Sequence, residues 1–266
     1  MSLRIHPLDK QIDNKKVSGI AQAPFTEYIV AGKGSGKSTL LINMLLNPNI
    51  YRETFNEIYI VSPTANMDAK FNILRNTPHI LKDNAKLRKL LNKLHEKPQI
   101  LSSDQAEQVK ETDGYITNFM EHLDLNTLTS LMEEQKFIIE QFGKKFADQV
   151  LIVFDDCVND KIFNDRKFID FVFKSRHYKI SCIFISQSYY RLPKSLRLNN
   201  TSLLLFENSN EKELKGIYEE NSVGTYNQFL AAYNEIMKTP FAFFNWNYQN
   251  PKKNRCFMNF EQKIEF

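Results

Sequence analysis

AGKGSGKST, residues 31–39, decides the fold class. The stretch fits G-x-x-x-x-G-K-[ST] through Gly36, Lys37 and Ser38, with Ala31 in place of the first glycine. EYIVA at 27–31 before it reads as a short strand, and LLINMLL at 40–46 after it as a helix that stops before Pro48. A strand, a glycine-rich turn and a helix N-terminus together turn successive backbone N–H groups inward, where they can cradle phosphate oxygens. The chain holds eight glycines, and three of them, Gly32, Gly34 and Gly36, fall within five positions here. Gly32 and Gly34 are expected to supply the backbone freedom that close approach to a phosphate requires. The chemistry assigns the backbone of Gly32, Lys33, Gly34, Ser35 and Gly36 to the phosphates and Lys37 to the β- and γ-phosphate oxygens. The Ser38 hydroxyl falls to Mg²⁺ and Thr39 to the neighbourhood of the α-phosphate. ATP and Mg²⁺ are therefore the expected ligands.

Outward from the loop, further apolar runs bounded by polar residues read as strands: EIYIVS at 57–62, VLIVFD at 150–155, ISCIFIS at 180–186 and SLLLFE at 202–207. Several are apolar throughout, the pattern of parallel strands covered on both faces. Helices are expected at about 163–175, 210–220 and 225–238, so the order predicts an α/β fold with a central, mostly parallel sheet flanked by helices. Residues 66–146 read as a mostly helical insertion, with Asn126 capping the start of its last helix and Gly143 its end. PFAFFNWNYQNPKKNRCFMNF, at 240–260, predicts a closing aromatic hairpin that turns at Asn250-Pro251. The whole is read as a single domain over 1–266.

The second half of a phosphate site is a carboxylate at the end of a neighbouring buried strand, and VLIVFDDC supplies Asp155 and Asp156. Asp155 is the Mg²⁺ candidate, and Asp156 the candidate base or orienter of the attacking water. Gln187 ends the run at 180–186, where it can contact the terminal phosphate or that water.

Composition excludes some classes. With 42% hydrophobic and 25% charged residues the chain is ordinary for a globular protein, and its net charge of +4 does not by itself mark a nucleic-acid binder. The opening residues lack an apolar run for a signal peptide, and no stretch is apolar for long enough to predict a membrane span. Cys157, Cys182 and Cys256 are widely spaced without a CxxC pair, so they read as reduced and structural. Basic residues concentrate in 70–98 and acidic ones in 102–140.

A longer block, SRHYKISCIFISQSYYRLPKSLRLNNTS at 175–202, joins AGKGSGKST, IVSPTANMD at 60–68 and IVFDDC at 152–157 in a specific resemblance. The chain resembles the genome-packaging ATPases of large DNA viruses and virophages, in the FtsK-HerA superfamily of P-loop NTPases, through Arg176-His177, Gln187, Leu192-Pro193 and Arg197-Leu198-Asn199. The resemblance implies a RecA-like P-loop core. It makes Asp155-Asp156 the Walker B pair and Gln187 the sensor, and it implies a homo-oligomeric ring, hexamer or pentamer, in which Arg176 or Arg197 completes a neighbour's site. It further implies non-sequence-specific double-stranded DNA as partner, a capsid vertex or portal component, no membrane, and a virus-encoded protein of the host cytoplasm or viral factory. Arg191, Lys194 and the basic stretch 70–98 are the candidate DNA contacts. His177 reads as a packing or hydrogen-bonding histidine, and Tyr189, Tyr190 and Trp246 as core rather than base-stacking aromatics. A nucleotide kinase would bring an arginine-rich lid and a transporter ATPase an LSGGQ-like signature, and neither is found in the sequence. A related motor of conjugation or cell division, built on the same core, is the alternative.

Overall fold

A computed structural model describes residues 18–65, 67, 69–75, 81–89, 117–122, 125–157 and 161–266. Among the described residues, nine strands form one sheet: β1 (Thr26–Val30), β2 (Glu57–Val61), β3 (Thr117–Met120), β4 (Val150–Asp155), β5 (Ile180–Ser186), β6 (Ser202–Leu205), β7 (Phe244–Asn247), β8 (Cys256–Met258) and β9 (Gln262–Lys263). Their order is β3-β2-β4-β5-β1-β6-β7-β8-β9. The first six run parallel, and β7 to β9 add antiparallel strands at one edge.

The helices include α1 (Lys37–Leu46), α2 (Leu125–Phe142), α3 (Arg166–Ser175), α4 (Lys194–Leu198), α5 (Glu211–Asn221) and α6 (Tyr226–Met237). Every residue of β1, β4 and β5 is buried, because helices cover the parallel sheet on both sides. Strand alternation sorts these side chains into two cores. Tyr28, Val30, Ile152, Phe154 and Phe184 share one face with Phe168 and Val172 of α3. Ile29, Leu151, Val153 and Ile183 share the other with Leu41 and Met44 of α1. In the first core the rings of Phe154 and Phe184 stack with centroids 5.0 Å apart, and Phe163 and Phe168 meet them edge-on. Glu27 is the exception in β1. It is wholly buried, neither carboxyl oxygen has a hydrogen-bond partner, and burial pushes its pKa up to about 7.

Local signals explain the helix boundaries. Asp165 caps α3 by accepting from Lys167 N, Asn210 caps α5 by accepting from Glu213 N, and Thr225 with Gln228 forms a capping box on α6. Gly143 ends α2 as expected, at φ +94°. Asn126 is not the cap, since α2 already begins at Leu125.

Part of the mostly helical insertion expected at 66–146, including 76–80 and 90–116, lies outside the described residues. Within the described part, β3 pairs in parallel with β2 from Ile58↔Thr117 to Val61↔Met120, a strand the reading did not contain. The aromatic hairpin forms as expected. Trp246 is fully buried against Phe229 and Phe244, and β7 and β8 pair across the turn that holds Asn250 and Pro251. Among the described residues, no helix is long and apolar enough to cross a membrane. All three cysteines are buried, and none of them forms a disulfide.

Candidate nucleotide-binding site

The strand order sets the C-terminal ends of β4, β5 and β1 side by side, where α/β sheets bind ligands. The registers Val30↔Ser186 and Asp155↔Ile185 make those ends level. The loop after β1, the carboxylates after β4 and Gln187 after β5 therefore meet at one edge.

Residues 31–36 form the turn. Ala31 is buried in the core beneath α1, and its N–H donates to Ser186 O at 2.9 Å, so a methyl group packs there without demanding a positive φ. Ser35 closes the turn on Gly32 O through both its N–H (3.3 Å) and its hydroxyl (2.7 Å). Gly34 and Gly36 lie at φ +80° and +94°, where a side chain would be strained. Gly32 has no positive φ, so the freedom expected of Gly32 and Gly34 belongs to Gly34 and Gly36. Gly36 caps α1 without a side-chain hydrogen bond, and the first turn carries no acidic residue. The helix thus presents its first N–H groups and the positive end of its dipole uncovered.

Lys37, Ser38 and Thr39 form that first turn. The Lys37 ammonium is paired with the Asp156 carboxylate, and Gln187 Nε2 donates to the same Asp156 Oδ2 at 3.3 Å. Asp156 adopts φ +52°, a left-handed conformation uncommon outside glycine, and donates its N–H to Ile185 O at 3.1 Å. One carboxylate thus joins the phosphate-loop lysine and the strand-end glutamine, three residues widely spaced in sequence. Asp155 is buried, and Ser62 Oγ at the end of β2 donates to its Oδ2 at 3.4 Å. The Ser38 hydroxyl and the Asp155 carboxylate are hard oxygen donors of the kind Mg²⁺ takes, and the open α1 terminus suits an anionic phosphate. The residues present fit ATP and Mg²⁺.

Sequence reasoning missed the buried carboxylate of Glu213 behind this edge. Its Oε1 accepts from Ser188 Oγ and from Tyr189 N, both at 2.6 Å, and its Oε2 accepts from Asn208 Nδ2 at 2.7 Å. Glu213 so ties the segment carrying Gln187 to the loop that leaves β6. The only signal for it in sequence is a glutamate in the first turn of a capped helix.

The two arginines differ. Arg197 is buried, with Nε 3.1 Å and Nη2 2.8 Å from the Glu220 carboxylate, Nη1 2.7 Å from Leu192 O, and its guanidinium over the Tyr189 and Tyr190 rings. The Arg197 guanidinium is thus held by contacts within its own chain, as charge-assisted pairs of this geometry hold firmly. Arg176 is half-buried beyond the end of α3, with Nη2 3.5 Å from Asn199 Oδ1. It precedes the first residue of β5, and the seven residues of that strand put roughly 20 Å between it and the phosphate-loop edge.

His177 is exposed rather than packed, on the one-turn helix Arg176–Tyr178, whose Tyr178 packs against the first core. Tyr189 and Trp246 are core as expected, whereas Tyr190 is half exposed and lies against Gly216 of α5. Arg191 and Lys194 are exposed, and the basic stretch 70–98 lies partly outside the described residues. Within that stretch Arg75 donates to Ala65 O at 2.6 Å and covers the Phe119 ring.

The sheet order and the loop define the class: a RecA-like P-loop NTPase fold, mostly parallel, with an aromatic antiparallel edge. The comparisons with known proteins agree. Residues 113–242, just under half of the chain, match the model of the Poxvirus A32 protein family. Uncharacterized protein 075L of Invertebrate iridescent virus 6 is 28% identical over 96 residues, a match spanning 36% of this chain and 36% of that protein. Among solved structures, the DNA-packaging ATPase B204 from Sulfolobus turreted icosahedral virus is similar over 91% of this chain and 99% of its own, with a TM-score of 0.53 at 13% identity. The genome packaging NTPase B204 from Sulfolobus turreted icosahedral virus 2, in complex with ATP-gammaS, covers 90% of this chain and 98% of its own, with a TM-score of 0.52 at 12% identity. At these identities the likeness is one of fold.

Proposed function

We propose that the chain is an ATP-hydrolysing motor that moves double-stranded DNA into a preformed viral capsid. The observation that carries the reading is the meeting of Lys37, Asp156 and Gln187 at the uncapped start of α1. The fold it shares with the B204 structures, described as genome-packaging and DNA-packaging enzymes, supports the choice among P-loop activities.

In this reading the backbone of 32–36 and the α1 terminus hold the phosphates, and Lys37 leaves Asp156 for the terminal phosphate oxygens when nucleotide binds. That exchange frees the Asp156 carboxylate to orient a water, while Gln187, already beside it, reports whether the terminal phosphate is present. Ser38 and Asp155 would hold Mg²⁺, which supplies charge neutralisation between the phosphates. Arg176, too far from its own loop, serves a neighbour in a homo-oligomeric ring. Exposed lysines and arginines, Arg191 and Lys194 among them, track DNA phosphates without reading sequence, and a capsid vertex or portal component receives the DNA.

ATP hydrolysis measured with and without double-stranded DNA, on particles of known mass, tests this. A ring whose hydrolysis rises with DNA and falls steeply with salt is expected. A monomer whose hydrolysis ignores both DNA and salt would exclude the packaging reading.

A further inference from the structure

On the β6 side of the phosphate loop, away from Asp156 and Gln187, lies a cleft of about 520 Å³. One wall is the backbone of Gly32–Ser35; the other is formed by Phe206 and Glu207, leaving β6, and by the turn 237–242 that enters β7. Phe206 and Phe243 are buried, their rings 5.2 Å apart beneath the cleft. Phe241, at the tip of the turn, behaves differently from both. It is 71% exposed, and its backbone sits at φ +63°. Its ring edge comes within 3.2 Å of the place a Cβ on Gly36 would occupy.

A large apolar side chain left in water forgoes its burial energy, and a bulky residue at positive φ strains the backbone. Glycine or asparagine would satisfy the same turn without either cost. Such strain persists at ligand clamps, where the surrounding structure holds it. A nucleotide whose terminal phosphate lies at Lys37, on the β5 side, and whose chain crosses the start of α1, delivers its base to the β6 side. We infer that Phe241 is the platform on which the base of the nucleotide stacks, with the exposed Glu207 and Ser209 at the rim facing the ribose hydroxyls. The inference rests on the nucleotide reading above and extends it to the nucleoside. Stacking grips a planar face and leaves the base edge unread, so purine nucleoside triphosphates are held alike and pyrimidine ones more weakly.

Equilibrium binding of ATP and of inorganic tripolyphosphate to wild type, Phe241→Gly and Phe241→Trp tests it, with a thermal melt of each protein. Phe241→Gly is expected to lose about tenfold in ATP affinity, keep its tripolyphosphate affinity and melt at or above the wild-type temperature, since the strain is relieved. Phe241→Trp keeps ATP affinity. Phe241→Gly with wild-type ATP affinity, or with both affinities reduced equally, overturns the inference and leaves the nucleotide reading standing. Wild type that binds neither ligand overturns both.

Discussion

Asp156 and Glu27 are both carboxylates in or beside the central sheet, and their surroundings give them opposite parts. Asp156 sits just past a strand end, paired with Lys37 and touched by Gln187, so its charge is used. Glu27 lies within a central strand, and burial, offset only in part by the neighbouring Ser202, raises its pKa from 4.5 to about 7. Between these two values the folded chain binds more protons than the unfolded one. Stability is therefore full below about pH 4.5 and declines as pH rises through about 7. Burial likewise raises Glu57, which accepts from the Tyr59 hydroxyl at 2.8 Å, to about 7, so two groups act in the same window. Glu27→Gln, neutral at every pH, is expected to melt roughly 5–10 °C above wild type at pH 8 and close to it at pH 5. Melting curves at the two pH values check this, and an equal shift at both would exclude titration of Glu27 as the cause. The asymmetry was not visible in EYIVA: a lone glutamate in an apolar run reads as a strand residue facing solvent, and only the sheet order shows that both faces are covered.

At the scale of elements, legibility followed the length and purity of the pattern. β4 and β5 occupy the residues expected of them because six and seven consecutive residues have no polar face to expose. The helices at 166–175, 211–221 and 226–237 lie close to the expected 163–175, 210–220 and 225–238, and in the structure Asp165, Asn210 and Thr225 cap them. β3 was missed because TNFM is short, half polar and paired on one side only, so its hydrogen bonds to β2 rather than its side chains specify it. Glu213 was missed for a related reason: its partners Ser188, Tyr189 and Asn208 become neighbours only after β5, β6 and α5 are assembled. That contact makes α5 a support for the Gln187 segment. Glu213→Gln keeps the shape of the side chain but turns one oxygen of a carboxylate that accepts three short hydrogen bonds into a donor, so the fold is expected to survive while Gln187 loses its placement. Steady-state kinetics should show kcat lowered by roughly 10- to 100-fold with KM nearly unchanged. A rise in KM at constant kcat would instead place Glu213 in nucleotide binding.

At the scale of the whole molecule, β1 in the middle of the sheet divides the labour. Toward β5 and β4 lie Lys37, Asp156 and Gln187, where phosphate chemistry belongs; toward β6 lies the cleft under Phe241. Arg176 lies one strand length from its own loop, and in the proposed reading it serves a second copy. Motion is the central claim, and it separates a motor from an enzyme that only turns over ATP. The most direct measurement is displacement of a third strand bound to double-stranded DNA when the protein and ATP are added. The account predicts displacement that requires ATP, proceeds from DNA of unrelated sequences alike, and is abolished in Lys37→Ala, which also loses hydrolysis. Wild-type protein that hydrolyses ATP on the same DNA while the third strand stays bound would contradict it.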